Sequence, residues 1–299
     1  MARLVLVAAL VLAACAGPPV SGPGATGAAA SGPGANAPLR VQSFNLRLNL
    51  ESDGDDAWPF RREAAVAILA EADVVGVQEA LPDMLADIDA ALPAYARLGV
   101  GRQADGGGEF SAIYYRTARL APLADGTFWL SETPAVPGSQ SWDAALPRIA
   151  TWARVRDRAT GDTLLVVNTH FDHVGAEARR QSARLILDRL DRLAQGHPVV
   201  LLGDFNVTDD SDVYRLLADR LGDARLVSEA TPTGVPATWN GFGRDPLERR
   251  IDFVFVRGPL RVLSFATRDE TIGQVLGTDS ARYPSDHFPV EAVVRLGDG

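Results

Sequence analysis

The sequence predicts a four-layer α/β sandwich, two stacked β-sheets with helices packed outside them. Two observations predict it. Apolar runs of strand length outnumber helical stretches, and the helices are interspersed among them rather than gathered at one end. No Pro/Gly-rich break follows residue 39, so residues 39–299 read as one large domain. The chain has 299 residues, 46% hydrophobic and 22% charged, the balance of a soluble globular protein. A net charge of -9 disfavours broad phosphate neutralisation along duplex DNA. It leaves room for a nuclease that touches DNA through a few Arg and a metal ion. All basic side chains other than His are Arg, whose planar guanidinium suits bidentate phosphate contacts.

Residues 1–14 read as a signal peptide. Arg3 supplies a positive start, and Leu4 to Ala14 is an apolar stretch too short to span a bilayer. Leu12-Ala13-Ala14-Cys15 resembles a bacterial lipobox, which implies cleavage before Cys15 and lipidation of its sulfur. Cys15 is the single cysteine, so the chain has no internal disulfide and no thiolate metal site. Residues 15–38 are nearly all Gly, Pro, Ala and Ser after that cysteine and read as a flexible tether. The expectation is an exported lipoprotein of the bacterial cell envelope, or a secreted protein if Cys15 stays unmodified.

The folded part begins with a strand over Arg40–Leu46 that ends at Asn45. A helix follows over Phe60–Ala72, with Ile68 and Leu69 inward. Asp73–Gln78 reads as a buried strand with Glu79 directly after it. Asp83 reads as the cap of a helix whose Leu85, Ile88 and Leu92 share a face. Ser111–Arg116 is a strand preceded by Glu109, and Ile149–Arg156 with Thr163–Asn168 reads as a hairpin followed by His170. Glu177–Ala194 is a helix with Ile186, Leu190 and Leu193 inward. Val199–Leu202 is four consecutive apolar residues, a buried strand, and Gly203 lets the backbone turn. Asp204 and Asn206 then lie two apart, which in an extended segment puts both on one face. Asp212–Leu221 is a helix, and Ile251–Val256, Arg261–Thr267 and Pro289–Arg295 complete the strands, the first carrying Asp252 and the last preceded by Asp286-His287.

The polar residues at these strand ends form a constellation: Asn45, Glu79, Glu109, His170, Asp204, Asn206, Asp252, Asp286 and His287. Their local motifs are Ser-Phe-Asn-Leu, Val-Gln-Glu, Asn-Thr-His, Gly-Asp-Phe-Asn, Ile-Asp-Phe-Val and Ser-Asp-His. In that order they resemble the endonuclease/exonuclease/phosphatase superfamily of DNase I, over about residues 39–297. The run Phe128–Pro134, with Trp142-Asp143 and Arg148–Trp152, is similar to an uncharacterised bacterial branch of it. The resemblance implies two mainly antiparallel sheets and hydrolysis of a phosphoester. It makes Glu79 the principal metal ligand with Asn45 beside it and Asp286 a further one. It pairs His287 with Asp252 and His170 with Glu109. His287 would activate the attacking water, and His170 would bind a phosphate oxygen or assist the leaving group. Asp204 would orient the water and Asn206 the phosphate.

An all-oxygen donor set without thiolate suits Mg²⁺ or Mn²⁺ and admits Ca²⁺. Arg148 is a candidate phosphate clamp. His173 reads as a solvated loop residue, and Trp58, Trp142 and Trp239 are candidates for a stacking rim. Arg47 stands where some nucleases of the superfamily carry an acid, which puts a second metal site in question. The substrate is left open among small molecules, lipids and nucleic acid. A DNase-like nuclease and an inactive binding module on the same scaffold stand as alternatives.

Overall fold

Strand β1 (Leu39–Asn45) leads through a 3-10 turn and helix α1 (Trp58–Leu69) to strand β2 (Val74–Ala80), which lies parallel to it. The computed structural model describes Met1 and residues 37–297. The remainder of the predicted signal peptide, Cys15 and the tether up to residue 36 lie outside the described residues. After β2 come α2 (Pro82–Ala91), β3 (Tyr95–Leu98), β4 (Phe110–Arg116), β5 (Leu120–Trp129), β6 (Ile149–Asp157), β7 (Thr163–His170), α3 (Ala176–Ala194) and β8 (Val199–Asp204). The chain ends with α4 (Asp212–Ala218), β9 (Gly222–Asp223), α5 (Ala224–Val227), β10 (Asp252–Arg257), β11 (Leu260–Thr267), α6 (Ile272–Leu276) and β12 (Val290–Leu296).

The strands form two six-stranded sheets, ordered β11-β12-β1-β2-β4-β3 and β5-β6-β7-β8-β10-β9. Each has one parallel pair, β1–β2 and β7–β8, and is otherwise antiparallel. Strict alternation in β8 explains why its apolar run is unbroken. Val200 and Leu202 point into the core between the sheets, while Val199 and Leu201 point to the layer under α3 and α4. The first sheet does the same, with Val74 facing inward and Val75 and Val77 packing under α1 and α2. The result is the expected four layers. Helix α3 buries Ile186 and Leu190, with Leu193 half-buried. Among the described residues, no helix is long and apolar enough to cross a membrane.

The two sheets approach most closely at Gly76. A Cβ there would lie 2.0 Å from Leu202 Cδ1 and 2.6 Å from Asn168 Cγ. The missing side chain admits Asn168 from the opposite sheet, and what Asn168 does there shapes the site. The β2–β4 register shifts between Val77 and Ala80, a bulge that breaks the ladder. Asn168 Nδ2 donates to Val77 O at 2.9 Å and to Ala112 O at 2.8 Å, occupying carbonyls of both strands at the last pair before that break. Gln78 Nε2 donates to Asn168 Oδ1 at 2.6 Å, closing a buried amide bridge between the sheets. Glu79 is the bulged residue, at φ 58°, a backbone region rare for a residue with a side chain. The sequence reading put Glu79 after the strand; it lies within β2 and is turned by this bulge.

Several elements depart from expectation. Helix α1 stops at Leu69 and α4 at Ala218, each about one turn early. Asp83 is not a cap. Leu81 is the N-cap with Pro82 at the first turn, and Asp83 accepts from Asn49 Nδ2 at 2.7 Å. Strands β3 and β5 were not expected. Both are edge strands, and β5 carries Pro122, Asp125 and Gly126, residues that hide a strand in a sequence but are tolerated at an edge.

Replacing Asn168 by Leu would remove the Asn168 donor from the Val77 and Ala112 carbonyls and one of the three acceptors of Gln78 Nε2. Each unsatisfied buried group costs roughly 1–3 kcal/mol, so unfolding in urea should give a stability loss of about 3 kcal/mol. A loss below about 1 kcal/mol would show that the amide bridge does not hold the sheets.

Candidate active site

The parallel pairs place their C-terminal ends side by side, where α/β proteins build their sites. Asn45 ends β1, Glu79 nearly ends β2, and His170 and Asp204 end β7 and β8 in register with each other. Asp252 opens β10 directly opposite Asp204, and His287 lies three residues before β12. Together they border a cleft of about 430 Å³ whose walls include Glu79, Glu109, Arg148, His170, Asp204, Asn206 and His287. The sequence-predicted residues therefore converge, with Asn45, Asp252 and Asp286 set behind the lining.

Asp204 is the centre of this arrangement. Its Oδ2 accepts from Asn45 Nδ2 at 3.0 Å and lies 3.5 Å from His170 Nε2 and 3.8 Å from His287 Nε2. The two imidazoles thus flank one carboxylate. Behind His287, Nδ1 meets Asp252 Oδ2 at 2.9 Å, the expected pair. Asn45 Nδ2 also donates to Glu79 Oε1 at 3.0 Å, tying the two expected metal ligands together. The second Glu79 oxygen accepts from Leu48 N at 3.0 Å. That backbone is held from beneath by the buried Arg61, which donates to the carbonyls of Leu46, Arg47, Leu48 and Asp56. Asn206, at φ 50°, donates through Nδ2 to Phe171 O and to His170 Nε2, both at 3.0 Å. Its amide orientation is therefore fixed.

The expected pairing of His170 with Glu109 does not form. Glu109 is ion-paired with Arg102, and His170 Nδ1 is buried without a partner. The hairpin from Gly99 to Glu109 holds Arg102 N to Glu109 O at 3.0 Å, which brings the two side chains together. Arg148 is buried, 3.4 Å from Asp172 and 2.9 Å from His173 Nδ1. His173 is the exposed loop residue that was expected, and it also lines the cleft. Trp58 is core, not rim, and Trp142 is absent from the lining. Trp239 does line the cleft, edge-on to His287 with ring centroids 4.9 Å apart. Arg102 and Arg249 were missed. The only signal for Arg102 was the Gly-rich hairpin around it, and Arg249 stands in a loop without pattern.

The site carries an excess of buried carboxylate. Burial, then the neighbouring Asp252, push Asp204 up to about 7, and burial raises Asp286. Burial opposes the charged form of His287, yet Asp252, Asp204 and Asp286 outweigh it and push the imidazole up to about 10. Burial, with the nearby Arg148, drives His170 well below the usual histidine range, so it is neutral. Asp252 Oδ1 has no partner, and Asp204, Asp252 and His287 each place a ligand atom within 4.8 Å of the others. Clustered hard oxygens whose charge raises one another's proton affinity fit a divalent cation. Asp286 has Arg47 Nε 3.8 Å away, so the Arg that replaces an acid lowers the negative charge on that side.

A family model for the endonuclease/exonuclease/phosphatase family matches residues 43–287. The chain belongs to the endonuclease/exonuclease/phosphatase family. Members are divalent-metal-dependent phosphoester hydrolases. The chain is 39% identical to an endonuclease/exonuclease/phosphatase of Bacteroides vulgatus, covering 87% of this chain and 99% of that one with a TM-score of 0.81. It is 35% identical to a mannosyl-6-phosphatase of Bacteroides thetaiotaomicron, covering 86% and 99% with a TM-score of 0.77. It is 28% identical over 165 residues to a probable Ccr4-Not complex 3'-5'-exoribonuclease subunit of Vairimorpha ceranae, over 46% of this chain and 33% of that one. The curated relatives it matches are spanned over a third of their length or less.

In this family member, titration calorimetry with Mn²⁺ should show one saturable site. Glu79→Ala should weaken it by at least roughly tenfold, as loss of a ligating group does. Unchanged Mn²⁺ affinity in that variant would remove Glu79 from the ligand set.

Proposed function

We propose that the chain is an exported, divalent-metal-dependent phosphohydrolase of small phosphoesters, phosphomonoesters foremost. The observation that carries this is the His287–Asp252 pair facing Asp204, with Glu79 on the same cleft and Asn45 bonded to both acids from behind it. The similarity to a mannosyl-6-phosphatase favours a small substrate, as does the net charge of -9.

His287 Nδ1–H is held by Asp252, which leaves Nε2 free to accept a proton. The 3.8 Å between Nε2 and Asp204 Oδ2 is suited to a water that bonds both. That water attacks phosphorus in line, and the leaving oxygen departs on the opposite side, toward His170. Asn206 orients the phosphate, its amide fixed by Phe171 O and His170. Arg148 offers a guanidinium to phosphate oxygens. When bound, a divalent cation at Glu79 and Asn45, with Asp286, supplies Lewis-acid polarisation of a phosphate oxygen. A cation held there would offset Asp286, one of the three carboxylates that raise the proton affinity of His287.

A nuclease is the second reading, favoured by the similarity to a probable exoribonuclease. Purified protein with Mg²⁺ or Mn²⁺, offered sugar phosphates, RNA, plasmid DNA and sphingomyelin, separates the two. Efficient cleavage of RNA or DNA alone would reverse the order. Within either reading, His287→Ala should lower turnover roughly 10²- to 10⁴-fold with little change in metal affinity. Because Asp252 acts through His287, the double variant with Asp252→Asn should be barely worse than the worse single one. Losses that multiply would separate their roles. For export, the support is Leu12-Ala13-Ala14-Cys15 followed by the tether. Intact mass of the mature protein should show a lipidated N-terminal Cys15, and an unmodified thiol there would exclude the anchor.

A further inference from the structure

Beside the cleft lies a second, much smaller recess. Its walls are Arg102, Glu109, Ser111, Arg148, Ile149 and His170, with Phe110 at its edge, and its volume is about 10 Å³. It shares Glu109, Arg148 and His170 with the cleft, so the two adjoin. Three of its walls are deeply buried: Arg102 is 8% exposed, Arg148 5% and His170 6%. The space admits about one oxygen-sized group.

Two of the residues that line it carry unsatisfied polar atoms. Arg102 Nε and His170 Nδ1 are buried with no partner. Because Asn206 Nδ2 donates to His170 Nε2, the ring proton is on Nδ1, which makes both orphans N–H donors. Glu109, paired on one side with Arg102 Nη2, adds an acceptor. An occupant must therefore be small, accept from N–H and donate to a carboxylate. A hydroxyl meets all three conditions. A phosphate oxygen fails the last and is repelled by Glu109, and a methyl group would leave the donors unpaired.

The position decides which hydroxyl. His287 Nε2 and His170 Nε2 both approach Asp204 Oδ2, at 3.8 and 3.5 Å, and the mechanism proposed above gives the first the attacking oxygen and the second the leaving one. Attack from the His287 side sends the leaving oxygen toward His170, and the recess adjoins His170. The alcohol half of the substrate, not its phosphate, reaches this wall. The hairpin that carries Arg102 and Glu109 is rigid there. Trp129 Nε1 donates to Arg102 O at 2.7 Å, and a Cβ on Gly101 would lie 2.1 Å from Gly107 O, so the hairpin strands touch.

We propose that this recess is a hydroxyl-reading subsite for the leaving alcohol, so that the preferred substrates are phosphoesters of polyols such as sugars, with Arg102 and Glu109 determining specificity. The proposal rests on the phosphohydrolase reading above and adds the substrate class to it. It assigns Glu109 to the substrate rather than to His170.

The test compares kcat/KM at saturating Mn²⁺ for hexose phosphates, their single-deoxy analogues and phenyl phosphate. Wild type should prefer the hexose phosphates and lose roughly 10- to 100-fold when one particular hydroxyl is removed, the effect of leaving buried donors unpaired. Arg102→Met with Glu109→Gln removes both charges together and avoids stranding one. It should lower the ratio of kcat/KM for hexose phosphate over phenyl phosphate by a similar factor, mainly through KM. Ser111→Val fills the recess while keeping both charges and should lower the same ratio. Absence of any hydroxyl preference in wild type overturns the proposal. So does an equal loss on both substrates in the variants, which would put Glu109 back behind His170 as a positioning group. Hydrolysis of no phosphoester at all would overturn the phosphohydrolase reading itself, and is distinguished by the wild type failing on phenyl phosphate too.

Discussion

The site depends on how closely the two sheets can approach at Gly76. With a side chain there, Asn168 could not reach across, and the Val77 and Ala112 carbonyls would lose its donor in a dry interface. The amide bridge makes the bulge in β2 tolerable, and the bulge turns Glu79 toward Asn45. One buried polar contact between the layers therefore positions the acid on the cleft edge. This explains why two consecutive residues of β2 do different work. Gln78 closes the core and Glu79 faces the cleft.

Asp204 extends the same logic. It lies at the end of β8, between its parallel neighbour β7 and its antiparallel neighbour β10. Three side chains from three other segments, Asn45, His170 and His287, converge on its Oδ2. Burial and the neighbouring Asp252 raise the proton affinity of this carboxylate. The cost of such crowding is borne by the β-sheet framework, whose core on both sides is apolar. The site is built where strand ends leave backbone groups to satisfy, and polar side chains satisfy them.

Much of this was legible in the sequence because the strands that bear the site are buried on both faces. Their apolar runs are unbroken, so the first polar residue after each run marks the strand end and the cleft together. Asp204 was placed this way, while Asn45 was read at the end of an alternating strand, His170 just past an apolar one and Asp252 within another. The edge strands β3 and β5 were not legible, since half-exposed strands with Pro, Gly and Asp lack such a signal. Asp83 misled because Pro82 at the first turn made a side-chain cap unnecessary. The pairing of Glu109 was also hidden. Which partner a carboxylate takes depends on hairpin geometry, and the turn between Gly101 and Gly107 brings Arg102 to it before His170 can.

That last displacement bears on how one scaffold reaches different substrates. The Asp204-centred group lies on the ends of buried strands, where any shift would break sheet hydrogen bonds. Arg102, Glu109 and Arg148 lie on or beside loops joining edge strands, where length and composition vary at low cost. The hairpin from Gly99 to Glu109 can be rebuilt without moving Asn45, Glu79 or Asp204. On the proposed reading, whatever groups this hairpin carries face the leaving alcohol, while the phosphate meets the strand ends. The division between a rigid phosphate side and a replaceable alcohol side follows from the order of strands in the sheets. β3 is outermost in the first sheet and β5 in the second, so the loops at the edge of both sheets meet over one wall of the cleft.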